Sequence, residues 1–360
     1  MQANWKNELL SFLQTEHKQL SVVVMPDFFL DRIISLNCGA ERFYSMVNAV
    51  ADRKGGSIDG IAQVDIRGGN AVNTATALAA LGVTVTPIIC TNKIGLQLLK
   101  SHLEPYCIDT SHVKLSAKAS VTTALEFKTE GGTANVMLRD VGSLCDFGPS
   151  RLTVGDFEAI EQADYVCVFN WAGTKKYGTK LAQTVFSRVK ARGRGKTYFD
   201  TADPTPNQAA TTELLDKVLK SRQVDILSVN ENEAVYYAEM LDEKIEALRG
   251  KIPFEELAME AARLLAKQFL ARIDLHTTSF AATFNKQGEV VVPAFRIQAL
   301  RATGAGDAWN AGNILGDANA LSDECRLALA NAVAACYLAS PRGVHPTRRK
   351  LAEFIRRQES

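Results

Sequence analysis

Short apolar runs alternate with helical stretches along most of this chain, and this alternation constrains the fold more than any other feature. Residues 21–25 form a β-branched run that predicts a buried first strand. Similar runs lie at 84–90, 165–169, 196–200, 226–229 and 280–284. Helical patterns lie at 1–20, 71–81, 179–191, 213–220, 231–241, 254–270, 325–338 and 348–356. Strands that alternate with helices predict an α/β fold in which helices cover both faces of a mainly parallel sheet.

Two segments, about 31–67 and about 107–142, depart from this alternation. Apart from a helical stretch at 44–51, they contain short runs in which apolar and polar residues alternate, such as 61–66 and 121–127. Such runs are typical of strands that expose one face to solvent. We therefore predict a small β-sheet lid, inserted into a single domain that spans residues 1–360.

Composition and charge exclude several classes of protein. The 360 residues are 46% hydrophobic, which suits one large domain with a small appendage. A formal charge of +1 argues against a nucleic-acid or anionic-membrane partner. Seven cysteines without a C-x-x-C pair predict neither a disulfide framework nor a zinc site, and they favour a reducing cytoplasm. We also expect no secretory leader and no membrane span, because no apolar run reaches about 20 residues.

Gly304, Ala305, Gly306 and Asp307 lead directly into an Ala-rich helical stretch. Such a turn leaves backbone N–H groups uncovered at the positive end of a helix, which favours a bound anion. Asp307 would lie beside that anion, in a position to act as a base toward a hydroxyl that attacks a phosphate. On this segment alone, an ordinary loop with Asp307 as helix cap is an equal alternative.

A second glycine pair occurs much earlier in the chain. Gly68 and Gly69 precede Asn70 and Asn73, and an Ala/Leu helical stretch then runs to a glycine at position 82. Alone, this segment predicts a loop that enters a buried helix. Together, the two glycine segments resemble the signatures of the PfkB (ribokinase-like) family of sugar and nucleoside kinases. The resemblance covers roughly residues 22–355.

This resemblance implies a ribokinase-like three-layer α/β/α sandwich with a β lid, through which many family members form dimers. It implies ATP-dependent transfer of a phosphoryl group to a hydroxyl of a small carbohydrate, either a sugar or a sugar acid, with Mg²⁺ on the donor. Asp307 would be the catalytic base. The turn formed by Gly304, Ala305 and Gly306 would form the anion hole for the transferring phosphoryl group.

The acceptor pocket is predicted at the end of the first strand, because ligands bind beyond the carboxyl ends of parallel strands. Asp27 and Asp31 lie there and can accept hydrogen bonds from hydroxyl groups; the family commonly has an aspartate at the position of Asp31. Gly68, Gly69, Asn70 and Asn73 would complete the pocket. Asp200 and Asp203 follow another strand at the same edge, where loop capping is the simpler role. Arg139 lies in the lid segment, where a solvated surface arginine is the simpler interpretation.

The nucleotide site is predicted from four further residues. Asn230 and Glu233 resemble the family's Asn-x-x-Glu motif, which implies that they act around Mg²⁺ and the donor phosphates, often through water. The same spacing also predicts a capping box. Thr277 lies in a loop where relatives have glycines, and its hydroxyl is available to a phosphate; His276 beside it is expected to be a satisfied structural histidine. Asn331 resembles a residue near the base.

Departures from the family pattern leave a cofactor and two alternative functions open. Arg301 and Ala302 replace an Asp-Thr pair that helps to form a monovalent-cation site in several relatives, so K⁺ remains an open cofactor. A nucleoside acceptor would need an aromatic clamp, for which Phe43, Tyr44 and Phe127 are the candidates. A catalytically silent sugar-binding or regulatory protein on the same fold is a further alternative. A Rossmann-type dehydrogenase is disfavoured, because no G-x-G-x-x-G follows the first strand.

Overall fold

The computed structural model describes residues 3–16, 19–130, 132–301 and 303–358. The strands, in chain order, are β1 (Ser21–Met25), β2 (Phe29–Ser35), β3 (Ala62–Gly68), β4 (Thr84–Pro87), β5 (Cys90–Thr91), β6 (Lys114–Leu115), β7 (Ser120–Thr129), β8 (Gly132–Asp140), β9 (Tyr165–Phe169), β10 (Lys196–Asp200), β11 (Ile226–Asn230), β12 (Arg272–His276), β13 (Phe280–Asn285) and β14 (Gly288–Pro293). They form an eight-stranded sheet, a four-stranded sheet and a two-stranded sheet.

The helices, in chain order, are α1 (Ala3–Gln14), α2 (Ala40–Asp52), α3 (Asn70–Ala80), α4 (Lys93–Leu103), α5 (Val154–Gln162), α6 (Gly178–Arg192), α7 (Thr211–Leu214), α8 (Glu231–Glu239), α9 (Glu243–Leu248), α10 (Phe254–Gln268), α11 (Ala305–Ala318), α12 (Asp323–Leu338) and α13 (Arg348–Arg357). The predicted helix at 213–220 continues α7 as a π-helical turn, Leu215–Leu219. Among the residues that the structure describes, no helix is long and apolar enough to cross a membrane.

The central sheet has the strand order β14-β13-β12-β11-β10-β9-β1-β4 and is parallel except at β13. Alternate residues of β1 enter two separate cores: Val23 and Met25 pack on one side of the sheet, whereas Val22 and Val24 pack on the other. A strand that is buried on both faces must be apolar throughout, and β1 is. The predicted three-layer α/β fold with a mainly parallel sheet is confirmed.

The lid is the four-stranded sheet β3-β2-β7-β8, in which β2 and β7 are parallel neighbours. Its strands lie within a few residues of the predicted segments 31–67 and 107–142. However, β6 pairs with β5 and does not join the lid. Asp31 pairs with Thr122, and Ile34 pairs with Leu125. Because side chains alternate along a strand, these two pairs point to opposite faces of the lid.

A buried ionic network joins β12 to α11 and α12. The Asp274 carboxylate accepts hydrogen bonds from Arg272 at 2.9 Å, Arg326 at 3.1 Å and Asn313 at 2.8 Å. Burial alone would raise the pKa of Asp274, but the charges of Arg272 and Arg326 outweigh it and hold that pKa well below its usual range. This network compensates the charges that β12 carries into the core.

Arg326→Met should destabilise the fold by about 3–5 kcal/mol, because it leaves the Asp274 carboxylate buried without one of its two cations. Lys217→Met is the matched control, since it breaks an exposed pair with Glu213 and should cost less than about 1 kcal/mol. Urea unfolding gives both free energies. Equal losses in the two variants would contradict a structural role for the buried network.

Candidate active site

The turn before α11 is open at its N-terminus. Gly304 has φ 82°, and a Cβ at this position would lie 2.7 Å from the Tyr337 hydroxyl, so both conformation and space require glycine. Among the described residues, no side-chain cap is recorded at Gly304, the N-cap position of this helix. The backbone N–H groups of Ala305, Gly306 and Asp307 have no acceptors within the helix. The turn therefore presents free donors at the positive end of the helix dipole, which is the arrangement that an anion site needs.

Asp307 is held beside this turn by two amide side chains from α3. Asn70 Nδ2 donates to Asp307 Oδ1 at 2.9 Å, and Asn73 Nδ2 donates to Oδ2 at 3.0 Å. Burial raises the pKa of Asp307 to about 8; the Asn73 hydrogen bond opposes this rise, whereas the negative charges of Asp200 and Asp27 add to it. A buried, oriented carboxylate with a raised pKa is suited to accept a proton.

Asp27 joins the first strand to α3. Its Oδ2 accepts from the Asn70 backbone N–H at 2.9 Å and from Asn170 Nδ2 at 2.8 Å, and its Oδ1 accepts from the Ala71 backbone N–H at 2.9 Å. The N-cap residue of α3 is Gly69, which has no side chain to accept these hydrogen bonds. With φ 97° and a Cβ position only 2.9 Å from the Asp27 backbone O, Gly69 must be glycine. Asp27 thus caps α3; acceptor binding by this fully buried carboxylate remains a prediction.

Asp31 points from β2 of the lid toward Gly68. A Cβ on Gly68 would overlap the Asp31 carboxylate, so this glycine makes room for it. Asp31 Oδ1 is buried and has no hydrogen-bond partner among the described residues. Burial raises the pKa of Asp31, and a side-chain hydrogen bond from Thr122 and the charge of Arg139 oppose that rise. Arg139 itself lies 5.1 Å from the ring centroid of Phe29, so the pocket has one unsatisfied carboxylate oxygen and one nearby cation.

Asn230 and Glu233 form the capping box that their spacing predicts. Glu233 N donates to Asn230 Oδ1 at 3.0 Å, Asn230 N donates to Glu233 Oε2 at 3.0 Å, and Asn230 Nδ2 donates to Glu233 Oε1 at 2.9 Å. Glu233 is buried. Its burial, together with the charge of Asp200, raises its pKa well above the usual value. A carboxylate in this state favours a cation nearby.

Several buried carboxyl groups lie close together in this site. Asp200 is buried, accepts from Asn310 Nδ2 at 2.7 Å, and lies close enough to Glu233, Asp307 and Asp27 for their charges to interact. In the described part of the chain, no three carboxylate, histidine or cysteine side chains converge tightly enough to hold a metal by themselves. These residues fit Mg²⁺, which keeps several waters and takes further oxygen ligands from phosphates.

The two remaining nucleotide candidates are engaged within the protein. Thr277 Oγ1 donates to the Phe280 carbonyl at 2.9 Å and accepts from the Phe280 N–H at 3.0 Å. Asn331 Oδ1 accepts from Trp309 Nε1 at 2.9 Å, and its Nδ2 donates to the Pro293 carbonyl at 3.1 Å. Both side chains stabilise their own surroundings, and their roles toward a nucleotide remain predictions.

Arg301 occupies the corner where a monovalent cation was considered. Its Nε donates to the Ser340 carbonyl and its Nη2 to the Pro341 carbonyl, both at 3.2 Å, and its guanidinium lies 5.2 Å from the Tyr337 ring centroid. Ala302 lies outside the described residues. Carbonyl oxygens are the ligands that a K⁺ ion would take, and here a fixed cation already holds two of them. This corner does not fit K⁺.

The aromatic candidates for a nucleoside clamp lie away from the acceptor pocket. Phe43 and Phe127 contact each other at a centroid distance of 6.0 Å. Phe127 is five positions beyond Thr122 on β7, so it points to the lid face opposite Asp31. Tyr44 is 66% exposed. None of the three forms a stacking wall beside Asp31.

Several residues of the site carried no assigned role at the sequence level. Asp200 and Asn170 follow strands at the active edge, a position that signals function without specifying it. Asn310 was missed altogether, although its i+3 spacing from Asp307 puts both on one face of α11. His276, expected to be satisfied, has a buried Nε2 without a hydrogen-bond partner in the described chain. A sequence does not reveal such a missing partner.

Comparison with known proteins connects this geometry to a family. A family model described as pfkB family carbohydrate kinase matches residues 45–348. A ribokinase from Haemophilus influenzae is 25% identical over 295 residues, which cover 80% of this chain and 87% of that protein. Among solved structures, a fructokinase with bound ATP from Xylella fastidiosa has a TM-score of 0.70 at 16% identity, covering 94% of this chain and 99% of its own. An Arabidopsis thaliana ribokinase complexed with ribose and ATP has a TM-score of 0.70 at 18% identity, covering 95% and 100%.

Gly68→Ala tests the link between the second glycine pair and Asp31. The added methyl group displaces the Asp31 carboxylate, so binding of the predicted acceptor should weaken about tenfold, the effect of losing a good hydrogen bond. Gly155→Ala is the control, because its Cβ position is open and lies in a helix. Steady-state KM values for acceptor and nucleotide provide the measurement. A larger change for the nucleotide would contradict the assignment of this pocket.

Proposed function

The chain belongs to the pfkB family of carbohydrate kinases, and from this premise we propose that it transfers the terminal phosphoryl group of ATP to a hydroxyl of a small sugar or sugar acid. The observation that carries the proposal is the buried Asp307 carboxylate, oriented by Asn70 and Asn73 beside the open N-terminus of α11. A base and an anion hole are thus adjacent, as in-line transfer to a hydroxyl requires. The ATP bound in the Xylella fructokinase supports ATP as the donor.

In the proposed reaction, Asp307 accepts the proton of the acceptor hydroxyl as its oxygen bonds to phosphorus. The bond between the terminal phosphorus and the bridging oxygen breaks, and ADP leaves. Backbone N–H groups of Ala305, Gly306 and Asp307 stabilise the charge on the transferring phosphoryl group. Mg²⁺ would neutralise donor phosphate oxygens, held through water near Asn230 and Glu233. Closure of the lid would exclude water and limit ATP hydrolysis.

The acceptor pocket favours a carbohydrate. The unpartnered Asp31 Oδ1 can accept from a polyol hydroxyl, and the neighbouring Arg139 guanidinium can pair with an acidic group, which favours a sugar acid within this class. A nucleoside acceptor is disfavoured, because Phe43 and Phe127 lie on the other face of the lid. The Arabidopsis ribokinase complexed with ribose supports a sugar acceptor.

We further propose a homodimer formed through the lid. Val64 pairs in register with Ile33, and Met137 pairs with Ala124, so these four residues form one apolar row across the sheet. Val64 is 59% exposed and Met137 is 47% exposed, which leaves an apolar surface for a second copy. Seven free cysteines support the cytoplasm as the proposed location.

An ADP-release assay with Mg-ATP against aldoses, ketoses, sugar acids, phosphosugars and nucleosides tests the function. We expect turnover on sugars or sugar acids. Asp307→Asn should lower kcat about 10³-fold, because the amide cannot accept the proton, while ATP binding measured by calorimetry stays within a few-fold of wild type. Near-normal turnover in Asp307→Asn would remove Asp307 from the role of base. If a sugar stabilises the protein thermally but Mg-ATP neither binds nor reacts, the protein is a catalytically silent binder.

The pH profile gives an independent test of the base. Because Asp307 must be ionised to act, kcat/KM for the acceptor should rise with pH through the pKa of about 8. Asn73→Ala removes a donor that favours the ionised form, so the ascending limb should move to higher pH. Asn92→Ala, which removes a cap of α4, is the control and should leave the limb in place. A limb that stays fixed in Asn73→Ala would assign the titration to another group.

A further inference from the structure

Helix α11 carries a row of polar side chains where it packs against the central sheet. Asp307, Asn310 and Asn313 follow one another at intervals of three residues, so neighbours in the row lie side by side along the helix. All three are buried, and the two asparagines have no exposed surface. Polar side chains persist in such a place when their hydrogen bonds are made, so the partners of the asparagines show what the row does.

These partners form a continuous chain of hydrogen bonds that begins at Arg326 of α12. The Arg326 guanidinium donates to Asn313 Oδ1, and Asn313 Nδ2 donates to the Tyr198 hydroxyl at 3.2 Å. The Tyr198 hydroxyl donates to Asn310 Oδ1 at 2.7 Å, and Asn310 Nδ2 donates to Asp200 Oδ2 at 2.7 Å. Every member of the chain is buried. A cation thus stands at one end of the chain and a carboxyl group at the other.

The donors and acceptors in this chain can point in only one direction. A guanidinium can only donate, so Asn313 turns its oxygen toward Arg326 and its amide N–H groups along the chain. The Asn310 oxygen also accepts from the Ser228 hydroxyl at 2.7 Å, which holds that oxygen on the side of the hydroxyls. The amide N–H of Asn310 therefore faces Asp200, and a donor in this position favours the ionised carboxylate.

Asp200 is bonded on both of its carboxyl oxygens. Besides the Asn310 contact to Oδ2, Oδ1 accepts from the Ala202 backbone N–H at 3.0 Å. Burial raises the pKa of Asp200, and the hydrogen bonds from Ala202 and Asn310 oppose that rise. Because hydrogen bonds in a chain polarise one another, the chain from Arg326 strengthens the last donor and helps to keep Asp200 charged.

The charge on Asp200 acts on Asp307, since its partner Asn310 lies about one helical turn beyond Asp307. Burial is the main reason that the pKa of Asp307 is raised, and the charge of Asp200 adds to the rise. The other titratable groups around these two carboxyl groups are Asp27, Glu233, Tyr198 and Tyr237. Burial raises the pKa values of both tyrosines well above their usual range, so the tyrosines stay neutral.

We propose that Asn310 is a positioning residue, which holds Asp200 as an oriented anion beside Asp307 and thereby sets the pH at which Asp307 can accept a proton. This inference rests on the proposed function, in which Asp307 is the base. A general base works best when it titrates near the working pH. The row on α11 would then join the base, through Asp200, to a cation in the interior of the protein.

The competing explanation is that the chain only fastens α11 to the sheet, and two variants separate the explanations. Asp200→Asn removes the charge but keeps the size of the side chain. Asn310→Ala removes the donor, so that Asp200 is protonated more readily. Both should move the titration of Asp307 to lower pH by about 1 pH unit, because a neighbouring like charge is lost. Ser228→Ala is the control and should leave the titration in place, since Tyr198 still holds the Asn310 oxygen.

The carboxyl ¹³C resonance of Asp307, followed against pH in the ligand-free protein, provides the measurement. Its loss in Asp307→Asn assigns it. Asn73→Ala should shift this titration to higher pH, so removal of one buried amide donor has opposite effects at positions 73 and 310. A titration that stays in place in Asp200→Asn would overturn the inference, as would an equal shift in Ser228→Ala. Asp200→Asn is nearly isosteric and carries the test if Asn310→Ala does not fold.

The same variants separate this inference from the proposed function. The ¹³C titration needs no substrate, so it tests the link between Asp200 and Asp307 even if no acceptor is phosphorylated. In an active protein, the ascending limb of kcat/KM should move to lower pH in Asp200→Asn together with the resonance. A resonance that moves while the kcat/KM limb stays fixed would remove Asp307 from the role of base and overturn the positioning role of Asn310 in catalysis.

Discussion

The capping of α3 by Asp27 is the contact on which the arrangement of the site depends. Gly69 provides the sharp entry into α3 but no cap, so the Asp27 carboxylate accepts from the N–H groups of the first helical turn. This fixes α3 against the end of β1 and sets the direction of its first turn. Asn70 and Asn73, one turn apart, then reach Asp307 on α11. β1, α3 and Asp307 are thus joined by carboxylate–amide hydrogen bonds, so a disturbance at Asp27 would reach Asp307 through α3.

This arrangement concentrates negative charge in a low-dielectric place. Burial raises the pKa values of Asp27, Asp200, Glu233 and Asp307, and repulsion from neighbouring carboxylates adds to the rise for Asp200, Glu233 and Asp307. Such a cluster opposes the stability of the empty site. In the proposed function, a bound cation would relieve the repulsion among the carboxylates, and the phosphates that accompany it would bind at the positive end of α11. Clustered buried carboxylates and an uncapped helix end each cost free energy when no ligand is bound. We infer that a cation and its phosphate, bound together, would lower both costs.

The sequence predicted both the strands that are apolar on both faces and two lid strands, β3 and β7, in which apolar and polar residues alternate, but it missed β12 and β14. β1, β9 and β10 were predicted with their observed bounds, because short apolar runs between helical patterns are typical of buried parallel strands. β12 was missed because Arg272 and Asp274 interrupt its apolar pattern, and only the folded chain brings Arg326 to Asp274. The glycine motifs predicted the turns before α3 and α11 for a similar reason, because backbone conformation is encoded locally. The side-chain partners of Asn70, Asn73, Thr277 and Asn331 are not, since they depend on which helices and strands become neighbours.

The predicted acceptor pocket and the turn before α11 differ in whether backbone or side chains shape them. The acceptor half keeps both glycines of its motif, and each is required, by a close approach at Gly68 and by a positive φ at Gly69. Near the turn before α11, side chains fill the corresponding places: His276 ends β12 and packs on Trp309, and Arg301 donates to the Ser340 and Pro341 carbonyls. Gly306 and His276 are in close contact, because a Cβ at position 306 would lie 3.2 Å from His276 Cε1 and would push the imidazole slightly away. A side chain at position 306 would therefore displace the imidazole beside the first turn of α11.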